Sequence, residues 1–599
     1  MSVDPPTTGE SPRSGGWQPR RLFGIRLRGS SAPRPPLEDS GGVLAAPVAV
    51  AGDVILSAEA ATSDLSSASA ARLGGRAIAM AGLVVVAGVV LSRVLGWGRN
   101  SVFSAEFGTS SSLDAFFAAF RIPDALFQLV AAGAVGSALV PVASELLAKG
   151  EPERARRLVS TIANLMILAL IPLTVVVWLA APSVMGLIDP KADPSQLQMD
   201  IGLTRLMLLS PLLLALGAVM TAGLNAVGIF GAPALAPNVY NIAIIVCAVA
   251  LTPFLGIYAL ALGVVAGAAG HLLTQAPAVR RTGLYRPSLD IHDPAVRETL
   301  TLMAPRALGL GATQIVFLVN TFFAYGLGSG ALSSYTLAFT ALQIPVGLIG
   351  VPLGIVLLPP LSQAIARGDN VRFRSLVDQS LRLLLFAVVP LTCIMFALAT
   401  PTLAFLYQYG AFTQANRDSM TPVFMVFLIG LVAHVLIALL APIFYAGKDT
   451  RTPVTAALLA VAVDVVAAAV LFPFMHLEGL ALAIGLGAWV EVLVLMALME
   501  RRIGFDLRPM ARRLLAFAGG GVVAAAAAYL ADRFIEQYTG GPISFFARVA
   551  ELVPAGFVGL AVYVAWARAC RLPELDAAMQ LARTLAGRGT GVRSKPARG

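Results

Sequence analysis

The sequence predicts an all-α polytopic membrane protein with roughly fourteen transmembrane helices, arranged as two six-helix pseudo-repeat lobes plus two C-terminal helices. Three observations predict it. Hydrophobic residues make up 57% and charged residues 13% of the 599 residues, with a mean hydropathy of +0.80, whereas soluble domains carry about 25% charge. Apolar runs recur every ~25–45 residues, and about 20 such residues cross a bilayer core. Loops rich in Lys and Arg alternate with loops poor in them, as in helical proteins of fixed orientation. The runs are far too long for barrel strands.

Residues 1–75 form a tail rich in Gly, Pro, Ser and Ala that lacks the apolar content to pack and reads as a disordered cytoplasmic segment. The first apolar run has no small-residue cleavage site and reads as a retained span. The first lobe, 76–280, carries runs near 76–98, 113–147, 158–188, 201–226, 232–254 and 256–278. The second, 281–500, carries runs near 297–327, 331–363, 376–400, 416–446, 452–474 and 479–500. Residues 501–570 hold two further helices, near 509–531 and 545–568, and 571–599 form a cytoplasmic tail. The basic loops are "AKGEPERARR", "VRRTGLYR", "ARGDNVRFR", "GKDTR" and "ERRIGFDLRPMARR", and they place both termini in the cytoplasm.

The lobes rest on an internal repeat. "LVPVASELLAKGEPERARRLV" (139–159) echoes "LLPPLSQAIARGDNVRFRSLV" (357–377), with Pro141 on Pro359 and Gly150 on Gly368. Upstream, "RIP" at Arg121 corresponds to "QIP" at Gln343 with one helical turn of slippage. Both copies end in basic loops, so the repeat is parallel, a transporter plan with its site between the lobes.

The net charge of +10 reports topology rather than nucleic-acid binding, because the Arg and Lys residues lie mostly in loops and tails. Cys247, Cys393 and Cys570 form no disulfide framework, the four histidines lack metal-ligand spacing, and no phosphate-binding loop appears. No cofactor is implied, and no nucleophile–base pair suggests an enzyme.

Charge inside the spans carries the functional reading, because a central Arg costs about 2.5–3.5 kcal/mol to insert. Arg93 and Asn100 lie seven residues apart on one helix face, and Asp114 and Arg121 repeat that spacing on the second span. Arg99 lies off the Arg93 face. Together Arg93, Arg99, Asn100, Asp114 and Arg121 suggest a cationic, partly neutralised surface suited to phosphate oxygens. The competing reading is that Arg93 and Arg99 snorkel to the interface and that Asp114–Arg121 is a structural ion pair. Asp464 in "LLAVAVDVVAAAV" and Glu491 in "GLGAWVEVLVLMAL" are carboxylates on apolar spans and candidates for a coupling-ion site, for sodium or protons, against a reading as protonated structural acids. His434, Asn238 and Asn241 read as structural, the asparagines joining helices.

At these residues the chain resembles the MurJ (MviN) lipid II flippases of the multidrug/oligosaccharidyl-lipid/polysaccharide exporter superfamily. "SRVLGWGRN", "DAFFAAFRIPDALFQLVAAGAVGSALVPVASE", "LYQYGAFT" and "APIFYAGKDTRTPV" carry the resemblance, which spans about 76–570. It implies fourteen helices in two lobes, a lipid-facing groove formed by helices thirteen and fourteen, and transfer of the undecaprenyl-diphosphate-linked peptidoglycan precursor across the bacterial cytoplasmic membrane by alternating access. It also implies that Arg93, Arg99 and Arg121 fall on cationic-cavity positions, and Asp114 on the family's acidic position. Driving forces to weigh are sodium, protons and membrane potential; partners are lipid II, membrane lipids, and cell-wall synthesis and division proteins. The chain departs from the family pattern at Asn100, Phe127, Gln128, Ala132, Phe339 and Thr340, where charge is usual, and at Ala468, the next-turn partner of Asp464. Two other functions stay open: export of another lipid-linked oligosaccharide or an amphiphilic drug, and a non-transporting cell-wall scaffold.

Overall fold

A computed structural model describes residues 75–130, 134–190, 192–447, 449, 451–503, 508–539 and 544–587. Residues 1–74 of the N-terminal tail, residues 588–599 of the C-terminal tail, and Ala132 lie outside them. The described residues form eighteen α-helices and no strand. The segment read as the first lobe contains α1 (Gly75–Phe107), α2 (Ser111–Val130), α3 (Ala134–Ala148), α4 (Pro152–Ile188), α5 (Pro194–Met207), α6 (Leu209–Ala226), α7 (Gly231–Leu255) and α8 (Tyr258–Thr282). The segment read as the second lobe contains α9 (Pro294–Tyr325), α10 (Ala331–Pro345), a π-helical turn (Val346–Gly350), α11 (Val351–Ala366), α12 (Asn370–Ala397), α13 (Ala399–Tyr407), α14 (Gln414–Ala446) and α15 (Arg451–Ile503). Then follow α16 (Arg508–Thr539), α17 (Phe545–Ala569) and a short α18 (Pro573–Gly587).

Among the described residues, ten helices are long and apolar enough to cross a membrane. This differs from the sequence reading for local reasons. The run at 331–363 still gives one span, Ala331–Gly350, which contains the π turn next to Pro345. The runs at 452–474 and 479–500 appear as one element, α15, bent at His476 with φ 48° and ψ −121°. Large apolar side chains such as Phe254, Phe474, Leu515 and Phe546 stand exposed, as expected where hydrocarbon is the solvent.

The repeat is visible in the backbone. Gly150 (φ 79°) and Gly368 (φ 68°) both take the left-handed conformation that ends a helix. In the first copy the N–H of Glu151 donates to the Leu146 carbonyl, and in the second the N–H of Asp369 donates to Ala364, each at 2.9 Å. Both turns lie in basic loops, so two copies of one sequence pattern build one helix–turn–helix unit.

Within the first lobe α7 packs along α8 and α1 along α7. Within the second, α14 packs along α15, α10 and α11. Helix α9 bridges, packing on α15 of its own lobe and on α2 and α3 of the other. Helices α16 and α17 pair and lie on α12. Arg548 of α17 donates to the carbonyls of Ala404 and Gln408 at the C-terminal end of α13 and stacks over Tyr409 at 4.5 Å. A guanidinium there complements the helix dipole and supplies a donor to the carbonyl of Gln408.

At the basic-loop end, residues 284–293 cross from lobe to lobe fastened to α4. Asn164 donates to the Ser288 carbonyl at 2.7 Å, and Arg286 N–H donates to Ser160 at 2.9 Å. Arg154 grips Asp293 through two hydrogen bonds of 2.9 and 3.0 Å. Asp293 also caps α9, accepting the Ala295 N–H at 2.8 Å. The Arg154 guanidinium holds the Asp293 carboxyl below its ordinary range.

Candidate substrate-binding site

The two lobes meet along a seam that is closed at the end opposite the basic loops. Ser101 donates to the Leu406 carbonyl at 2.6 Å, Ser104 to Tyr407 at 3.2 Å, and the Ala411 N–H to Ala105 at 2.7 Å. Gly410 takes φ 53°, and a Cβ there would stand 2.2 Å from the Ala105 carbonyl oxygen. Only glycine fits that approach, which explains the glycine of "LYQYGAFT". Asp200 of α5 receives the Tyr325 hydroxyl of α9 at 2.9 Å, and Gln196 donates to the same hydroxyl at 2.9 Å.

Asp114 belongs to this closure. It is fully buried, and its oxygens accept the N–H groups of Gly330 at 2.5 Å and Ser333 at 2.6 Å. Those donors open α10, whose first turn has no partners of its own. The structure therefore does not bear out the competing reading of Asp114–Arg121 as an ion pair. The buried start of α10 takes both carboxylate oxygens, and the electrostatic neighbours of Arg121 are Asp124 and Tyr335.

Deeper in the seam stand the arginines. Arg93 is half-buried, with its guanidinium against Gly347 of the π turn in the opposite lobe; a Cβ on Gly347 would lie 3.1 Å from Cζ and Nη1. Arg99, about 9 Å further along α1 at 1.5 Å per residue, donates to Asn241 of α7 at 3.2 Å. Asn241 in turn donates to Ser92 at 3.4 Å, so it joins α1 to α7 as its position suggests. Asn238 does not join helices: its amide donates back to Ala234 of its own helix at 2.9 Å. Asn100 is buried beside Arg99.

Arg121 is buried, and its Nε has no hydrogen-bond partner. Its guanidinium lies 5.0 Å over the Phe317 ring, a favourable place for a desolvated cation. Phe317 meets Phe339 edge to face at 5.8 Å, and Phe339 contacts Phe427 at 5.5 Å. The aromatic at 339 thus supports Arg121 through Phe317.

Asp124 was missed in the sequence. It is buried, accepts from Gln128, and lies within electrostatic reach of both Arg121 and Arg99. The signal was present: an acid three residues after Arg121 shares its helix face.

Asp464 and Glu491 are both buried on α15, but neither is an electrostatic neighbour of the other. Asp464 faces Asn320 of α9 and lies within reach of Tyr335 of α10. Its Oδ1 and both amide atoms of Asn320 make no hydrogen bond of good geometry. Ala468, one turn on, is buried and offers no oxygen from its side chain. His434 is buried near the close approach of Gly430 and Gly485. No group of three or more His, Cys, Asp or Glu is arranged to hold a metal among the described residues.

The family profile described as "Lipid II flippase MurJ" matches residues 103–551. A Burkholderia cenocepacia lipid II flippase MurJ is 32% identical over 433 residues, covering 70% of this chain and 83% of that protein. The chain belongs to the MurJ lipid II flippase family. A probable MurJ of Rhizobium meliloti is 32% identical over 456 residues, covering 74% of this chain and 84% of its own length. Members of the MurJ family are transporters rather than enzymes, and this one is a multi-pass protein of the bacterial inner membrane. The fold agrees with a solved MurJ in an inward closed conformation, at TM-score 0.68 and 22% identity over 81% of this chain and 98% of that one. An inward-facing multidrug MATE transporter gives 0.60 at 14% identity, over 70% of this chain and 98% of that one.

Proposed function

We propose that this chain carries lipid II, the undecaprenyl-diphosphate-linked disaccharide-pentapeptide, from the inner to the outer leaflet by alternating access. One observation carries the reading: Arg93 and Arg121 reach across the inter-lobe seam, and Asp124 is the carboxylate within electrostatic reach of both Arg121 and Arg99. The positive excess suits a diphosphate, whose oxygens accept paired hydrogen bonds from guanidinium groups. The closed far end supports a state whose next step opens that end. On this reading both termini are cytoplasmic. The spans number fourteen when segments interrupted within one crossing are joined and α15 is counted as two. The two six-helix lobes occupy 76–280 and 281–500, and α16 and α17 flank the second.

Coupling follows the same proposal. Asp464 with Asn320 and Tyr335 is the better candidate for a sodium or proton site, because three helices bring polar groups together there. Glu491 has no charged or hydrogen-bonding neighbour among the described residues and reads as a structural acid. Protein partners in wall synthesis and division would approach through the loops and tails. Export of an amphiphilic cation is the second reading, favoured by the aromatic cluster of Phe317, Tyr335, Phe339 and Phe427.

The deciding experiment is replacement of the resident flippase in a depleted bacterium, with the sidedness of lipid II as readout. Restored outward lipid II and growth support the first reading. Growth failure at normal protein abundance, with drug efflux instead, supports the second.

A further inference from the structure

We propose that Gln343 is a substrate-contacting residue of the second lobe, its primary amide donating to an oxygen of a lipid diphosphate held from the first lobe by Arg93. This rests on the lipid diphosphate reading given above.

Gln343 lies on α10 with about 5% of its surface exposed. Both its amide nitrogen and its amide oxygen are buried with no hydrogen-bond partner. A buried amide without partners is costly, and native proteins keep few of them. The chain retains this one on the helix that lines the seam.

Its surroundings point to a ligand rather than to a packing role. Gly347 follows one turn later on the same face, inside the π turn. That glycine is where the Arg93 guanidinium of the opposite lobe comes to rest. The Nε of Arg93 is likewise buried without a partner. Two unsatisfied polar groups, one cationic and one an amide, therefore stand on adjoining elements of the two lobes, the amide one helical turn before the glycine against which the guanidinium rests. Single π turns are frequent at functional sites, because the widened turn re-aims the side chains beside it.

The neighbouring candidate on α10 is already engaged. The hydroxyl of Thr340 donates to the Thr336 carbonyl of its own helix at 2.8 Å, and Phe339 is packed into the aromatic cluster. The repeat adds an independent argument. Gln343 of "QIP" is the counterpart, with one turn of slippage, of Arg121 of "RIP". The two copies thus place a cation and a neutral donor at related positions, and the second lobe contributes recognition without further charge. A neutral donor grips a phosphoryl oxygen more weakly than Arg, which suits a site that must also release its cargo.

The test uses the full-length chain purified in detergent and titrated with undecaprenyl diphosphate by native mass spectrometry. Q343E replaces the donor with an anion, Q343L removes polarity at similar volume, and R93A tests the parent reading. Melting temperature is recorded for each. With Gln343 in contact, Q343E weakens binding by about tenfold or more and Q343L by several-fold, at unchanged melting temperature. Wild-type affinity in both Gln343 variants, with R93A weakened, overturns the assignment and leaves an amide satisfied by buried water. Unchanged affinity in all three variants removes the lipid diphosphate reading itself. If Q343E does not fold, Q343L and Q343M decide alone: several-fold weaker binding supports contact, and wild-type binding overturns it.

Discussion

Asp114 of the first lobe accepts the backbone N–H of Ser333 of the second at 2.6 Å, so a side chain from one lobe caps the helix that begins the seam of the other. A helix whose first donors are satisfied across an interface cannot move away without exposing them. The closure of the far end and the start of α10 are therefore one event.

Removing that cap should open the far end. Hydrogen bonds to a charged group contribute about 1.5–3 kcal/mol. Asp114→Ala is expected to raise thiol labelling of a cysteine placed at Thr109, by roughly the tenfold that 1.4 kcal/mol represents. Asp114→Asn, which keeps one acceptor, should fall between. Labelling equal to the parent in both variants would show that the closure is held elsewhere.

Gly410 tests the same closure from the other lobe. Its φ of 53° and the 2.2 Å approach of the Ala105 oxygen leave no room for a methyl group. Gly410→Ala should lower the melting temperature and raise far-end labelling together, whereas Gly186→Ala, where nothing lies within 4 Å, should change neither. A Gly410→Ala protein indistinguishable from the parent would contradict the tight approach.

Arg93 and Arg99 separate diphosphate binding from membrane anchoring. Ala at either site should abolish transport in protein that still inserts, and Lys should rescue only in part, since an ammonium lacks the bidentate fork. Arg99 also needs Asn241, so Asn241→Ala should mimic a mild Arg99 defect. Transport per folded molecule is the measurement. Full activity with Lys, and merely reduced abundance with Ala, would leave both residues as interface anchors.

The inter-lobe strap should respond to acid. The carboxyl of Asp293 is held below its ordinary range mainly by the hydrogen bond from Arg154. A depressed folded pKa contributes stability above the unfolded value of about 3.9, and that stability is lost as pH falls through the folded value. Melting temperature should therefore drop more steeply below about pH 4 in the parent than in Asp293→Asn, which starts lower and lacks this component. Parallel pH profiles would show that the Arg154–Asp293 pair adds nothing to folding.

Asp464→Asn should alter the sodium or pH dependence of transport more than protein abundance, while Glu491→Gln should leave that dependence unchanged. Transport assayed across sodium and pH gradients distinguishes them. An unaltered dependence in Asp464→Asn makes it a structural acid like Glu491.

Membership of the helical, polytopic class was determined by the sequence alone, because a bilayer admits only segments that satisfy their own backbone, and long apolar runs leave no alternative. The repeat was equally legible: Gly150 and Gly368 mark turns whose backbone demands glycine, so the chemistry of one residue forecasts the geometry. The arginines of α1 and α2 could be singled out because charge in an apolar run is costly wherever the helix points. Their partners could not, since period and spacing say which residues share a face and nothing about what lies opposite. Tertiary packing gave Asp114 to the start of α10 rather than to Arg121, set Phe317 under Arg121, brought Arg99 to Asn241, and placed Arg93 against Gly347. It also separated Asp464 from Glu491, two acids alike in sequence context, by giving only one of them polar neighbours from other helices. The local code decides which residues must be inside; only the meeting of helices distant in sequence decides what satisfies them there.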